Sequence, residues 1–185
     1  RLDGRRILAV GLATLAQGLT RRIEALLGGN WRADEFFIRQ LARIRSPEEL
    51  AASEKATAIA ERGYEHMLKC VRPGMREYEL AAELYCAMKE LGAEDNFLLL
   101  SASQHNLAVR AAGGRVLDEG DIILSEITPC YQGQFAQICR TTVIGKPAPL
   151  MREKYAILQA AMAAGQKAAV PGATAGDVTE AMDGC

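Results

Sequence analysis

Two stretches of the sequence carry the same punctuation. VRPGMREYELAAEL, Val71 to Leu84, and AVPGATAGDVTEAM, Ala169 to Met182, each set Pro-Gly between two helical patterns. Proline lacks a backbone N–H and disfavours helix in the residue before it, while glycine enters the left-handed conformation without steric cost. A long alanine-rich segment precedes each copy, so the unit reads as helix, Pro-Gly turn, helix. Strand patterns follow the first copy. A chain that repeats this unit is a mixed α/β protein of two similar halves, and a second set of strands is expected after Cys185.

Local signals place the elements around that unit. Ser46 suits an N-cap, Pro47 the first helical position, and Glu49 completes a capping box. They predict a helix from Pro47 to about Val71, with Leu50, Ile59, Met67 and Leu68 on its apolar stripe. A second helix, Glu77 to Leu91, carries Leu80, Leu84 and Met88 and stops at Gly92. Upstream, Arg5 to Leu12 reads as a short buried strand, Leu15 to Leu27 as a helix ended by Gly28-Gly29, and Asp34 to Leu41 as a second short helix. Downstream, Phe97 to Ser101 reads as an apolar strand and Ser103 to Gly114 as a loop or irregular strand. Pro149 to Val170 is a long helix, and Asp177 to Met182 begins another.

Composition removes several function classes. The 185 residues are 49% hydrophobic and 24% charged, with a net charge of -1, which suits one domain or one and a half. That balance provides no electrostatic footprint for nucleic acid or an anionic membrane. No apolar run approaches the roughly 20 residues a membrane helix needs. The five cysteines form no CxxC pair and their number is odd, so reduced thiols in a cytoplasmic protein are expected. The chain opens at Arg1 in a strand pattern and closes in a helical one. Both ends read as interrupted, and a piece of a longer chain is the expectation.

The chemistry concentrates in GDIILSEITPCYQGQFAQICRTTVIGK, Gly120 to Lys146, which reads as a β-hairpin. With the turn centred between Tyr131 and Gln132, Glu126 falls opposite Gln137 and Thr128 opposite Phe135. Opposed side chains share a face, with Cβ atoms about 5 Å apart. Two carboxylates there would chelate a hard divalent cation. A carboxylate and an amide make a weaker site, since the amide brings no charge to offset the cost of dehydrating the ion.

RIRSPEELAASEKATAIAERGYEHMLKCVRPGMREYELAAEL, LGAEDNFLLL, RVLDEGDIIL and CRTTVIGKP occur in that order. The set resembles the creatinase / Xaa-Pro aminopeptidase / methionine aminopeptidase superfamily, whose fold is the pita-bread α/β fold. The resemblance spans about Arg43 to Gly172. It implies that residues 1–42 are the tail of a smaller N-terminal domain and a linker. Residues 43–185 are then the first half of a pita-bread domain and the start of its second half.

The family's metallopeptidases carry one Asp on each hairpin strand, and those positions fall on Glu126 and Gln137. Arg140-Thr141 matches the family's Arg-Thr after the second Asp. The family's catalytic His precedes the hairpin, where this sequence reads Ala108-Val109-Arg110. His105 lies a few residues upstream and replaces it only if the loop is re-registered. Creatinase is the family's precedent for C–N hydrolysis without metal. The resemblance therefore implies a divergent, metal-independent hydrolase acting on a C–N bond of a small amide, amidine or dipeptide-like substrate. Glu126 is then a substrate-facing acid, His105 a proton shuttle, Gln137 an orienting hydrogen bonder, and Arg110 a clamp for a substrate carboxylate. No cofactor is expected, with a divalent metal ion as the alternative, and a homodimer is implied.

The rivals are a catalytically inactive binding module and an Xaa-Pro aminopeptidase or dipeptidase with an unusual metal site. Beside these stand plain structural roles. Glu126 pairs with Arg140 or Arg110, Gln137 is a structural hydrogen bonder, and His105 is a loop residue. Arg110 binds backbone carbonyls, and His66, in the charged segment YEHMLK, is solvated.

Overall fold

The computed structural model describes residues 6–29 and 31–185. Its contacts divide the chain into two units, Arg1–Ala51 and Ala52–Cys185. That boundary lies in the first turns of the long helix, downstream of the division at 42/43 expected from sequence.

In the first unit, β1 (Ile7–Ala9) pairs in parallel with β2 (Trp31–Ala33). Arg5, where the sequence reading begins its strand, lies outside the described residues. A short 3₁₀ turn at Leu12–Thr14 separates β1 from α1 (Gln17–Leu27), and α2 (Phe37–Leu41) follows β2. The Glu35 carboxylate accepts from Gly11 N at 2.9 Å and Ala13 N at 3.3 Å. Those bonds close the turn that the sequence reading had merged into its first strand and helix. β2 is only three residues with a single large apolar side chain, too short to show alternation.

The second unit is built on α3 (Pro47–Cys70) and α4 (Glu77–Glu90). The predicted capping box is formed: Glu49 N donates to Ser46 Oγ at 3.2 Å, and Ser46 N to Glu49 Oε2 at 2.8 Å. Gly74 stands at φ +88° after Pro73, and the second Pro-Gly turn repeats this with Gly172 at φ +93°. There it joins α5 (Pro149–Ala168) to α6 (Ala175–Asp183). Both copies of the sequence unit are therefore the same helix, turn, helix structure.

Against α3 and α4 lies an antiparallel sheet. β4 (Ile122–Tyr131) is central, with β3 (Asp95–Ser103) on one side. On the other side runs a return strand in two pieces, β5 (Gln134–Phe135) and β6 (Ile138–Val143). The break has a chemical cause. Pro129 faces Ala136 in the register and has no N–H, so only Ala136 N to Pro129 O, at 3.2 Å, remains there. One sheet face supplies Leu98, Leu100, Ala102, Ile123 and Ile127 to a core shared with Ile59, Met67, Leu80, Leu84 and Met88. Each such side chain stabilises the fold by about 1.5–3 kcal/mol relative to exposure.

The hairpin register corrects the sequence reading by two residues. Cys130 pairs with Phe135, and Glu126 with Cys139 rather than Gln137. The turn is Gln132-Gly133, with both residues at positive φ, 47° and 73°. That is the type I′ geometry whose twist matches a hairpin. Centring on Tyr131 would put a bulky aromatic residue in the left-handed region, which Gly133 enters freely.

Two buried carboxylates lock the sheet to the helices. Glu77, at the start of α4, accepts from Ala102 N at 2.7 Å and Gly113 N at 2.8 Å. These two amides bracket the loop between β3 and the approach to β4. Asp121, fully buried, accepts from one Arg115 guanidinium nitrogen through both its oxygens, at 2.7 and 2.8 Å, and from Asp118 N at 2.9 Å. Replacing Glu77 with Ala strands two enclosed N–H groups, so a loss of about 3 kcal/mol is expected in urea unfolding. Faster amide exchange at Ala102 and Gly113 should accompany it. Unchanged stability would show that water replaces the carboxylate at no cost.

Candidate functional site

The second face of the sheet, away from the core, carries the polar chemistry. Side chains alternate along a strand, so Leu124, Glu126 and Thr128 share this face of β4. Leu99 of β3 pairs with Glu126 on one side and Cys139 of β6 on the other, while Phe97 pairs with Thr128. Gln137 sits diagonally from Glu126, two residues from its direct partner, and its Nε2 donates to Glu126 Oε1. The amide must present its NH2 there, because its carbonyl oxygen would repel the carboxylate. So the two residues singled out from sequence do meet, by a diagonal rather than a direct pairing.

Glu126 has no ion pair among the described residues. Arg140 pairs with Ser125 in the register, which turns its side chain to the opposite face. Its guanidinium lies 5.7 Å from the centre of the Tyr64 ring on α3, and its Nη1 donates to Cys139 O at 2.9 Å. Tyr64 in turn bonds Thr142 Oγ1 at 3.0 Å. The alternative Arg140–Glu126 ion pair is therefore not formed, and Arg140 is engaged by Tyr64 and Cys139 O.

The loop after β3 folds over part of this face, held by short-range polar bonds. Asn106 Nδ2 donates to Ser101 O at 2.6 Å and Ile122 O at 3.2 Å. Ser101 Oγ donates to Ala108 O at 3.0 Å, and Leu100 N to Arg110 O at 2.8 Å. Between loop and hairpin lies a cavity of about 240 Å³ whose lining includes Val109, Glu126, Cys139 and Arg140. His105 and Arg110 are both exposed and stand outside that lining. Of the four candidates, the structure bonds Gln137 to Glu126, while His105 and Arg110 make no bond to either among the described residues.

Two residues that the sequence reading passed over belong here. Cys139 presents an exposed thiol directly across from Glu126. Thr128 Oγ1 is buried without a hydrogen-bond partner, two residues from Glu126 on the same face. Correct hairpin registry, available from the Gln-Gly turn, would have brought out Cys139. No sequence signal marks the orphaned hydroxyl.

The donor set tests for a two-carboxylate metal centre. It offers one carboxylate, with an oxygen already taken by an amide N–H, and a thiol opposite. A hard divalent cation prefers several oxygen anions. These residues do not fit a dinuclear hard-cation centre.

Comparison with known proteins places this geometry in a family. An Xaa-Pro dipeptidase of Pyrococcus furiosus is 33% identical over 141 residues, covering 75% of this chain and 40% of that protein. The YqhT peptidase of Bacillus subtilis is 29% identical over 140 residues, covering 74% and 40%. The crystal structure of an X-Pro aminopeptidase from Thermotoga maritima superposes with a TM-score of 0.86 at 25% identity, over 96% of this chain and 51% of that one. The fold is thus the pita-bread fold of these peptidases, of which the chain spans about half, and about 40% of the curated relatives' length. The model of metallopeptidase family M24 matches residues 51–185, and the chain belongs to that family.

Proposed function

We propose that this protein is a peptidase-type hydrolase that cleaves a C–N bond in a small amide, amidine or dipeptide-like substrate without a two-metal centre. The observation that carries the reading is the hydrogen bond from Gln137 Nε2 to Glu126 Oε1 beside the cavity. Kinship with Xaa-Pro dipeptidases supports the hydrolase class, and the substitution of the facing carboxylate supports the departure from metal chemistry.

Each residue then has a defined task. Gln137 fixes the Glu126 carboxyl group in one rotamer and occupies one oxygen. The second oxygen takes a proton from the water that attacks the scissile carbon and delivers it to the leaving nitrogen as the C–N bond breaks. The Thr128 hydroxyl, buried two residues along the strand, does not line the cavity and takes no step. His105 and Arg110 take no step in this geometry.

Three outcomes test the reading. Glu126→Gln should lower kcat by about 100-fold or more, the scale of a lost general acid or base, with the circular dichroism spectrum unchanged. Unaltered turnover would return Glu126 to a structural role. Exhaustive chelation should leave hydrolysis of Xaa-Pro dipeptides at its starting rate, whereas loss of activity with recovery on added Mn²⁺ would overturn metal independence. Gln137→Glu, by restoring a facing carboxylate, should raise Mn²⁺ affinity more than about tenfold, since charge count tunes such sites over decades. Equal affinity would show that the amide is not what weakens the site.

A further inference from the structure

On the far side of the core from the hairpin cavity, α3 and α4 bring three ligand-type side chains together. His66 and Cys70 are four residues apart on α3, so they share one helix face a turn apart. Glu83 projects from α4 towards them. His66 Nε2, Cys70 Sγ and a Glu83 carboxylate oxygen all lie within 4.8 Å of one another. His66 Nε2 and Glu83 Oε2 are already 3.2 Å apart.

We propose that His66, Cys70 and Glu83 form a binding site for a zinc-class divalent cation, with water as the fourth ligand, that cross-links α3 to α4.

Ligand chemistry selects the ion. Imidazole, thiolate and carboxylate together suit Zn²⁺, whereas Mg²⁺ and Ca²⁺ call for all-oxygen sets. Distances agree with that choice. Tetrahedral zinc with bonds of about 2.0–2.3 Å sets its ligand atoms roughly 3.3–3.6 Å apart. The His66–Glu83 separation of 3.2 Å is close to this, and the Cys70 sulfur lies within 4.8 Å of both ligand atoms. Its thiol now donates only a long bond to Met67 O at 3.5 Å, which it gives up readily.

The frame is rigid where the site needs it. Gly63 lets the helices approach closely, since a Cβ there would stand 3.0 Å from Met88 Cγ. Met67, Leu84 and Met88, each next to or within a few residues of a ligand, are fully buried. An open groove of about 260 Å³ lined by Arg62, Glu65, His66, Lys69 and Glu90 leads to the imidazole and provides an entry path. Burial, followed by the Glu83 charge, pushes the Cys70 thiol up from its ordinary value, with Arg72 acting against them. The thiol is therefore protonated without metal, and its proton leaves to solvent as the sulfur–metal bond forms.

Cobalt(II) is the direct test, because thiolate ligation gives it an intense near-ultraviolet charge-transfer band. The reduced, metal-free chain should take up one Co²⁺ with that band, and Zn²⁺ should displace it. Cys70→Ser should abolish the band, and His66→Ala and Glu83→Gln should each weaken binding more than about tenfold, the least that even an outer-shell partner costs. Cys139→Ser and Cys86→Ser should keep it, since both thiols lie outside the cluster. Saturating Zn²⁺ should raise the melting temperature of the parent chain by roughly 5 °C, and not that of the Cys70→Ser chain. Absence of the band, or its survival in a folded Cys70→Ser chain, would overturn the site.

Discussion

A single buried carboxylate holds the parts of this protein that matter for its site. Glu77 begins α4 and reaches across to two backbone N–H groups, Ala102 at the end of β3 and Gly113 at the end of the following loop. The loop between them lines the cavity beside Glu126. Without that acceptor, the Ala102 and Gly113 N–H groups lose their partner and the loop keeps only its backbone bonds, such as Tyr78 N to Gly113 O. The same turn of α4 is met by the chain from the other direction. Glu77 N donates to Arg115 O at 3.0 Å and Tyr78 N to Gly113 O at 3.1 Å, so donors exposed at a helix start are used to dock the loop. Asp121 then fixes the entry to β4 through Arg115. Helix, loop and central strand thus form one hydrogen-bonded unit over the apolar core.

On that unit the hairpin presents its polar pair, and simple magnitudes explain the pairing. Two carboxylates on such a diagonal, about 7 Å apart, repel by roughly 1–2 kcal/mol at the effective dielectric of a protein surface, which a cation between them relieves. An amide donating to a carboxylate instead gains about 1.5–3 kcal/mol. On the proposed reading, the Gln137 amide satisfies the Glu126 carboxylate where a second carboxylate would call for a cation. The chain belongs to metallopeptidase family M24 and carries an amide side chain at this position of the hairpin.

Much of this was legible in the sequence because it rests on local rules. The Ser46–Glu49 capping box, the Pro-Gly stops and the apolar stripes of α3 and α4 all appear where the residues point. Glu126 and Gln137 share a face in either register, because an error of two residues preserves the side-chain alternation. The register itself was missed because glutamine is an uncommon residue at positive φ, which weakened the Gln132-Gly133 turn signal. β2 was missed because three residues carry no period. The role of Glu77 was invisible because its partners lie 25 and 36 residues away, and an acidic residue in a first turn reads as an ordinary helix start. His66 read as solvated for the same reason: its partner Glu83 comes from another helix.

On the proposed reading, the hairpin face holds a carboxylate–amide pair in place of a divalent-cation centre. The side-chain amide resonance of Gln137 reports on it directly. In a nuclear magnetic resonance titration with Mn²⁺, the Gln137 Nε2–H signal should be shifted by its bond to Glu126 and stay sharp at stoichiometric metal. Selective paramagnetic broadening of that signal, together with the Cys139 amide, would place the ion between the strands and contradict the account.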